Sequence, residues 1–224
     1  LWLVAGGIFG GSLYFFTENT ALGITQASNV SFIICTAPLL TTILSLLFYK
    51  SEKASKGLIY GSLLALMGVG LIVFNGSFVL KISPIGDLLT LLAALSWAFY
   101  SLIIKKMAGR YPTVFITRKI FFYGVLTILP AFLLHPLQPD AAVLLQPGVL
   151  FNLLFLAVLA SLICYVLWNV VLKQLGTVRA SNYIYLNPLV TMIASSLILD
   201  EKITLVALGG AACIVCGVYW AEKK

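Results

Sequence analysis

Apolar residues fall in eight long blocks, each closed by charge, glycine or proline. They span about 1–22, 28–49, 57–75, 87–105, 114–134, 149–172, 179–199 and 203–221. A helix needs roughly 20 largely apolar residues to cross the hydrocarbon core, and every block is close to that length. None alternates apolar and polar positions over about ten residues, as a spanning β-strand would. Open strands are excluded because unpaired backbone groups cannot face lipid. The blocks therefore predict eight transmembrane helices. The first is too long and glycine-rich for a signal peptide, and no basic residue precedes it.

Composition strengthens this reading. Of 224 residues, 61% are hydrophobic and 9% charged, and the mean hydropathy is +1.08; a soluble domain carries roughly 25% charged residues. Too few charges remain to cover a water-facing surface, so the solvent is mostly lipid. The net charge of +7 is dispersed between the blocks, whereas a nucleic-acid interface needs a basic cluster on one solvated face. Nucleic acid is thus not an expected partner.

The charges also set the orientation. With loops assigned alternately to two sides, one side receives Lys50, Lys53, Lys56, Lys105, Lys106, Arg110, Arg118, Lys119, Lys173, Arg179, Lys223 and Lys224, and the other only Lys81 and Lys202. The positive-inside rule makes the first side cytoplasmic. The expectation is a multi-pass protein of the cell (inner) membrane with its C-terminus in the cytoplasm. Arg118 and Lys119 open the fifth block, where snorkelling to lipid phosphates is the default role.

Shifting the chain against itself by 150 residues lays 19–49 on 169–199, with 10 identities in 31 positions, including Asn19/Asn169, Pro38/Pro188 and Thr41/Thr191. A shift of 149 then pairs Glu52-Lys53 with Glu201-Lys202, Gly61 with Gly210, and Gly68-Val69 with Gly217-Val218. Blocks one to three thus correspond to blocks six to eight, while blocks four and five have no upstream partner. A whole repeat would hold five helices. The first copy, 1–76, would lack its first two helices, about 65 residues ahead of Leu1, and the second, 86–222, would be complete. An odd helix number inverts the copies relative to one another, an architecture of secondary transporters with the substrate site at the repeat interface. The expected parent is an all-α integral membrane protein of ten helices and about 290 residues, eight helices being present here.

Few side chains at membrane depth can carry chemistry. Pro38 and Pro188 each strip a donor from the preceding turn, giving either a packing kink or a bend lining a pathway; their matched positions favour the bend. Glu18 is the one acid placed inside a block, and helical spacing puts it on a face with Gly7, Gly11 and Tyr14. Such an acid suggests proton coupling or amine binding, although Glu18 is also near enough to the helix end to be interfacial. Trp97, with Thr90, Ala94 and Ser101 on its face and Tyr100 adjacent, falls near mid-depth, where an anchoring role makes little sense. Ser161, Tyr165, Trp168 and Asn169 share a face of the sixth block. Asn182, Tyr183, Tyr185 and Asn187 crowd the turns before Pro188. The asparagines suit either substrate contact or interhelical hydrogen bonding. Cys213-x-x-Cys216 lies among Ala, Ile and Val with no second ligand pair, which reads as packing rather than a metal or redox site. The single histidine, His135, precedes Pro136 in a proline-rich stretch. No metal or cofactor is expected.

The segments YFFTENTALGITQASNVSFIICTAPLL, LAALSWAFYSLIIKKM and ASNYIYLNPLVTMIASSLILDEKITLVALGGAACIVCGV resemble the EamA-type drug/metabolite transporters. The proline, acidic-loop and glycine series of that family occurs twice, as Pro38, Glu52, Gly61, Gly68 and as Pro188, Glu201, Gly210, Gly217. The resemblance implies a ten-helix inverted-repeat permease with both termini cytoplasmic, whose members carry amino acids, other small metabolites and drugs. It also implies that a chain without the first two helices should not transport. On this reading Glu18, Trp97, Tyr100, Trp168, Asn169, Asn182 and Asn187 contact a small-molecule substrate, Glu18 supplies proton coupling or amine binding, and transport is by alternating access in the export direction. A nucleotide-sugar or sugar-phosphate exchanger is the alternative and would want Lys105, Lys106 or Arg118 facing the cavity. An intramembrane enzyme would need a nucleophile with its base, or metal ligands, at depth; neither pattern occurs. A non-transport protein would leave the repeat unexplained.

Overall fold

The computed structural model describes residues 1–49, 55–74, 83–134, 141–199 and 203–223. Lys50, Glu52, Lys53, Lys81, His135, Pro136, Glu201, Lys202 and Lys224, and with them both Glu-Lys loops, lie outside the described residues. Eight long helical runs occupy the described part. Helix α1 covers 2–24, with a π-helical segment at Ile8–Ser12. Helix α2 is Ala27–Phe48, α3 Lys56–Phe74, α4 Pro84–Met107 and α5 Thr113–Ile128. Helix α6 is Pro147–Leu175, with a π segment at Phe155–Ile163. Helix α7 covers 177–199 and α8 is Leu205–Glu222. Five of these, α2, α3, α4, α6 and α8, are long and apolar enough to cross a membrane.

Local chemistry explains the boundaries. Pro84 opens α4 in the first turn, where its missing N–H costs nothing. Asp87 accepts a hydrogen bond from the Ser83 N–H at 3.2 Å, and Lys105 and Lys106 close the last turn, all matched to the helix dipole. Thr204 caps α8 by accepting from the Ala207 N–H at 3.1 Å. The fifth apolar block, read from sequence as one helix to 134, divides: α5 ends at Ile128, two residues before Pro130, and a single turn follows at Ala131–Leu134.

Gly176 joins α6 to α7 at φ +81° and ψ 165°, an extended positive-φ region that is essentially glycine's alone and costs an L side chain about 1–3 kcal/mol. A Cβ there would meet open space, so the cost is conformational alone. Gly176→Ala and Gly176→Asn are therefore both expected to lower stability by about 1–3 kcal/mol, because asparagine's tolerance of the left-handed helical region does not extend to this ψ. Thermal unfolding in detergent measures both.

Large apolar side chains point outward along the bundle, among them Leu47, Met67, Phe151, Leu156, Val190 and Leu197, and Pro147–Ile163 of α6 buries none of its residues. Apolar surface this extensive belongs in lipid. Inside, two cores form. One gathers Tyr100, Ile104, Ile116, Ile120, Tyr165 and Leu172 from α4, α5 and α6. The other gathers Cys35, Val69, Ile72, Tyr185 and Ile214 from α2, α3, α7 and α8.

The second core is closed by glycines. Helices α3 and α8 cross antiparallel, Gly61 meeting Gly217 and Gly68 meeting Gly210. A Cβ on Gly210 would stand 2.7 Å from the Gly68 carbonyl oxygen, and one on Gly217 would stand 2.5 Å from that of Gly61. Helices without a hydrophobic drive to associate in lipid gain by such close backbone approach.

A candidate substrate site between α1, α4 and α6

The site begins with an irregularity in α1. The π turn at Ile8–Ser12 presents two carbonyl oxygens to other helices: Ser96 Oγ donates to Phe9 O and Tyr165 OH to Gly10 O, both at 2.8 Å. Gly10 admits no side chain, since a Cβ would enter the Tyr100 ring. On another side of the turn, Gly11 backs onto Gly124 of α5, and the Ser12 and Thr127 hydroxyls share a hydrogen bond of 2.8 Å. Backbone groups that would be costly to expose in lipid are thus satisfied from α4 and α6.

Below the turn, aromatic side chains from three helices converge. The Trp97 ring centroid lies 5.0 Å from that of Tyr14, 5.2 Å from Tyr100, 5.6 Å from Tyr165 and 5.8 Å from Trp168. Tyr100, Tyr165 and Asn169 are buried and form a floor; Tyr14, Glu18, Trp97 and Trp168 are half-buried and form its rim. The floor is tied by a directional chain. Tyr100 OH donates to Asn169 Oδ1 at 2.7 Å, and Asn169 Nδ2 donates to Thr117 Oγ1 at 2.9 Å. Thr117 Oγ1 in turn donates to Thr113 O at 3.0 Å. At the rim, Tyr14 OH donates to Glu18 Oε1 at 3.0 Å. The buried indole nitrogens of Trp97 and Trp168 have no hydrogen-bond acceptor among the described residues.

Five of the residues expected from sequence to contact substrate, Glu18, Trp97, Tyr100, Trp168 and Asn169, are therefore gathered here. Asn182 is fully buried elsewhere, on the part of α7 that packs against α2. Both of its amide atoms, and the hydroxyls of Thr41, Thr177 and Ser181, lack partners among the described residues. Asn187 is exposed, and among the described residues no hydrogen bond joins it to the cluster. Pro38 is buried just after α2 breaks at Cys35–Thr36, where Thr36 folds back to Ile33 O through both its N–H, at 2.9 Å, and its hydroxyl, at 2.7 Å. Pro188 follows a 3₁₀ turn at Tyr183–Leu186 that breaks α7. The bases sit apart from the cluster: Lys105 lies over Tyr49, Lys106 over Trp2, and Arg118 is exposed beside Phe115. Thr117, Ser96 and Phe121 join the site without having been expected there.

The chemistry on offer is a carboxylate and aromatic faces, which attract cations, with indole N–H groups able to donate to an acceptor. A multi-pass helical bundle with such a cluster suits a membrane transporter, and the comparisons give that class and its kin. The sequence profile of the EamA-like transporter family matches residues 1–74 and 84–221. The chain belongs to that family. An uncharacterized transporter of Archaeoglobus fulgidus is 29% identical over 217 residues, covering 96% of this chain and 73% of the relative. A "Probable amino-acid metabolite efflux pump" of Salmonella typhimurium is 29% identical over 182 residues, covering 77% of this chain and 60% of that protein. A solved crystal structure at 19% identity shares the fold with a TM-score of 0.82, over 99% of this chain and 75% of the other.

Proposed function

We propose that the protein is a permease exporting small organic metabolites, amino acids or drug-like solutes, by alternating access between two inverted repeats at 1–76 and 86–222. The observation that carries the substrate reading is the convergence of Glu18, Trp97, Tyr100, Trp168 and Asn169 from α1, α4 and α6 in one partly buried cluster. An ammonium suits the Glu18 carboxylate and the ring faces; a carboxylate or carbonyl suits the two unpartnered indole N–H groups. Asn182, with Asn187 nearby in sequence, belongs to a second polar patch that the substrate meets as the repeats move. Relatives named as efflux pumps agree with this reading.

Three features support the repeats. The π segment Ile8–Ser12 maps by the 150-residue shift onto 158–162, inside the π segment Phe155–Ile163. Both proline helices break just before corresponding prolines. The glycine seam is reciprocal: Gly61 corresponds to Gly210 and Gly68 to Gly217, so the contacts Gly61–Gly217 and Gly68–Gly210 exchange with each other under a pseudo-dyad. In this arrangement all eight helical runs cross the bilayer, Pro38 and Pro188 bend the walls of the pathway, and the C-terminus lies in the cytoplasm of a cell with this protein in its inner membrane. The sugar-phosphate alternative is disfavoured by Lys105, Lys106 and Arg118 lying against rings outside the cluster.

Reconstituted in proteoliposomes, the full-length protein is expected to move a small amino-acid or amine solute. Glu18→Gln removes the group that would exchange a proton or hold the amine, so the transport rate should lose most of its dependence on pH. An unchanged pH profile removes Glu18 from the mechanism, and transport of sugar phosphates alone would replace the substrate reading.

A further inference from the structure

Helix α1 changes register at a single turn. In an α-helix the Leu13 N–H would bond Phe9 O; here it reaches one residue further back, to Ile8 O. Phe9 O takes the Ser96 hydroxyl instead, and Gly10 O takes that of Tyr165, both at 2.8 Å. A π turn takes up one extra residue, which sets everything beyond it back by about 100° around the helix axis. Ordinary α geometry across Ile8–Ser12 would therefore carry each later residue into the place of the next. Leu13 would stand where Tyr14 packs against Trp97, Thr17 where Glu18 forms the rim of the cluster, and Glu18 where Asn19 is exposed. The half of α1 ahead of the turn cannot make this adjustment. It would bring Ile8 into the place of Gly7, where a Cβ would stand 2.6 Å from Tyr123 Cβ and 2.9 Å from the Gly124 nitrogen.

We infer that Ser96 and Tyr165 are positioning residues: their hydroxyls hold the π turn, and the turn keeps Tyr14 and Glu18, rather than Leu13 and Thr17, on the aromatic cluster. The consequence for transport rests on the function proposed above; the register itself does not. Tyr165 suits the task because its ring belongs to the cluster, with its centroid 5.6 Å from that of Trp97 and 5.0 Å from that of Phe121, so the ring and the turn are fixed together. Thr17 cannot replace Glu18. It is neutral, and its hydroxyl already donates to Leu13 O at 2.8 Å.

Thiol labelling of the full-length protein in detergent, read site by site by mass, tests the register directly. Thr17 is buried and Phe16 exposed, so Thr17→Cys should react slowly with N-ethylmaleimide and Phe16→Cys quickly. Adding Ser96→Ala and Tyr165→Phe, which removes both donors and keeps the Tyr165 ring, should turn position 17 into the half-buried place of Glu18 and position 16 into the buried place of Thr17. Labelling should then rise severalfold at 17 and fall severalfold at 16. Either donor substitution alone should shift both rates in the same directions by less. Unchanged labelling overturns the inference, and so does a rise at both positions, which marks a general loosening. In proteoliposomes the two donor substitutions should abolish the pH dependence of transport as Glu18→Gln does, the other titratable groups of the cluster being Tyr14, Tyr100 and Tyr165. Moving the carboxylate back one residue, by Thr17→Glu with Glu18→Thr, should restore that dependence in this background alone. Rotation seen by labelling without such a rescue leaves the register role standing and removes Glu18 from transport.

Discussion

Gly210→Ala is expected to destabilise the protein by about 2–3 kcal/mol, while Gly209→Ala, one residue earlier in the same helix, leaves stability unchanged or raises it slightly. Both substitutions add one methyl group and both improve helix propensity, a gain of up to about 1 kcal/mol. Their surroundings decide the sign. A Cβ on Gly209 has nothing within 4 Å, so the propensity gain stands alone. A Cβ on Gly210 meets the Gly68 carbonyl oxygen at 2.7 Å and Leu71 Cβ at 3.0 Å. These are atoms at or next to the backbone of another helix, which cannot rotate aside, so α3 and α8 must separate along their seam. Overpacking of this kind costs typically 1–3 kcal/mol, and the lost contacts between the helices add to it. Gly68→Ala should behave like Gly210→Ala, because its Cβ would lie 2.8 Å from the Ile214 nitrogen. Unfolding in a graded mixture of denaturing and native detergents measures all three. Equal stability of the 209 and 210 variants would show that the seam does not bind the helices.

The outline of this bundle was readable because lipid imposes a simple rule. A helix surrounded by hydrocarbon must be apolar on most faces, so its ends appear as charges, prolines or glycines, and the apolar blocks coincide with α1 to α8 within about three residues, except that the fifth runs on past the end of α5 at Ile128. The interior was less legible. Gly7, Gly11, Tyr14 and Glu18 form one stripe at α-helical spacing, but the π turn at Ile8–Ser12 intervenes and shifts the register. Gly7 and Gly11 then face Gly124, whereas the Tyr14 ring packs at a tilt against Trp97. Nothing in the composition of IFGGS announces a π turn. Its carbonyls are held by Ser96, 87 residues away, and Tyr165, 155 residues away, so its cause lies in tertiary structure. Thr117 went unnoticed for the same reason: threonines in helices usually bond the preceding turn, and only the approach of Asn169 makes this one an acceptor. Trp97 was visible because a large aromatic residue with a polar atom has little reason to sit at mid-depth unless something there meets it, and Trp168 because it shares a helix face with Ser161, Tyr165 and Asn169. Asn187 looked equivalent to Asn182 in sequence; the 3₁₀ turn at Tyr183–Leu186 buries one and exposes the other.

Replacing Trp97 or Trp168 by phenylalanine separates a packing role from a binding one. In a purely structural cluster each indole matters through its ring contacts, and its N–H is a liability: a buried donor without an acceptor carries a desolvation penalty of about 1–3 kcal/mol. Phenylalanine at 97 keeps an aromatic face toward Tyr14, Tyr100 and Tyr165, and at 168 one toward Trp97; each change removes that donor and leaves a small void. The two stability terms oppose one another, and the net change should be within about 1 kcal/mol. Substrate affinity has no such compensation. If the N–H groups of Trp97 and Trp168 donate to a carboxylate or carbonyl of the bound solute, each Trp→Phe loses a hydrogen bond in a site shielded from bulk water. The loss is about 1.5–3 kcal/mol for a charged acceptor, or roughly tenfold to a hundredfold in affinity. The expected pattern is thus near-native thermal stability with apparent affinity weakened at least tenfold, and a larger loss in the double variant. Trp97→Ala should differ in kind, since it empties the space at the centre of four ring contacts and costs about 3–5 kcal/mol of stability. Proteoliposome uptake at graded solute concentration, read beside melting curves of the same preparations, distinguishes these outcomes. Unaltered affinity in both phenylalanine variants would make the aromatic cluster a packing core and move the substrate site to the buried seam of Thr41, Ser181 and Asn182.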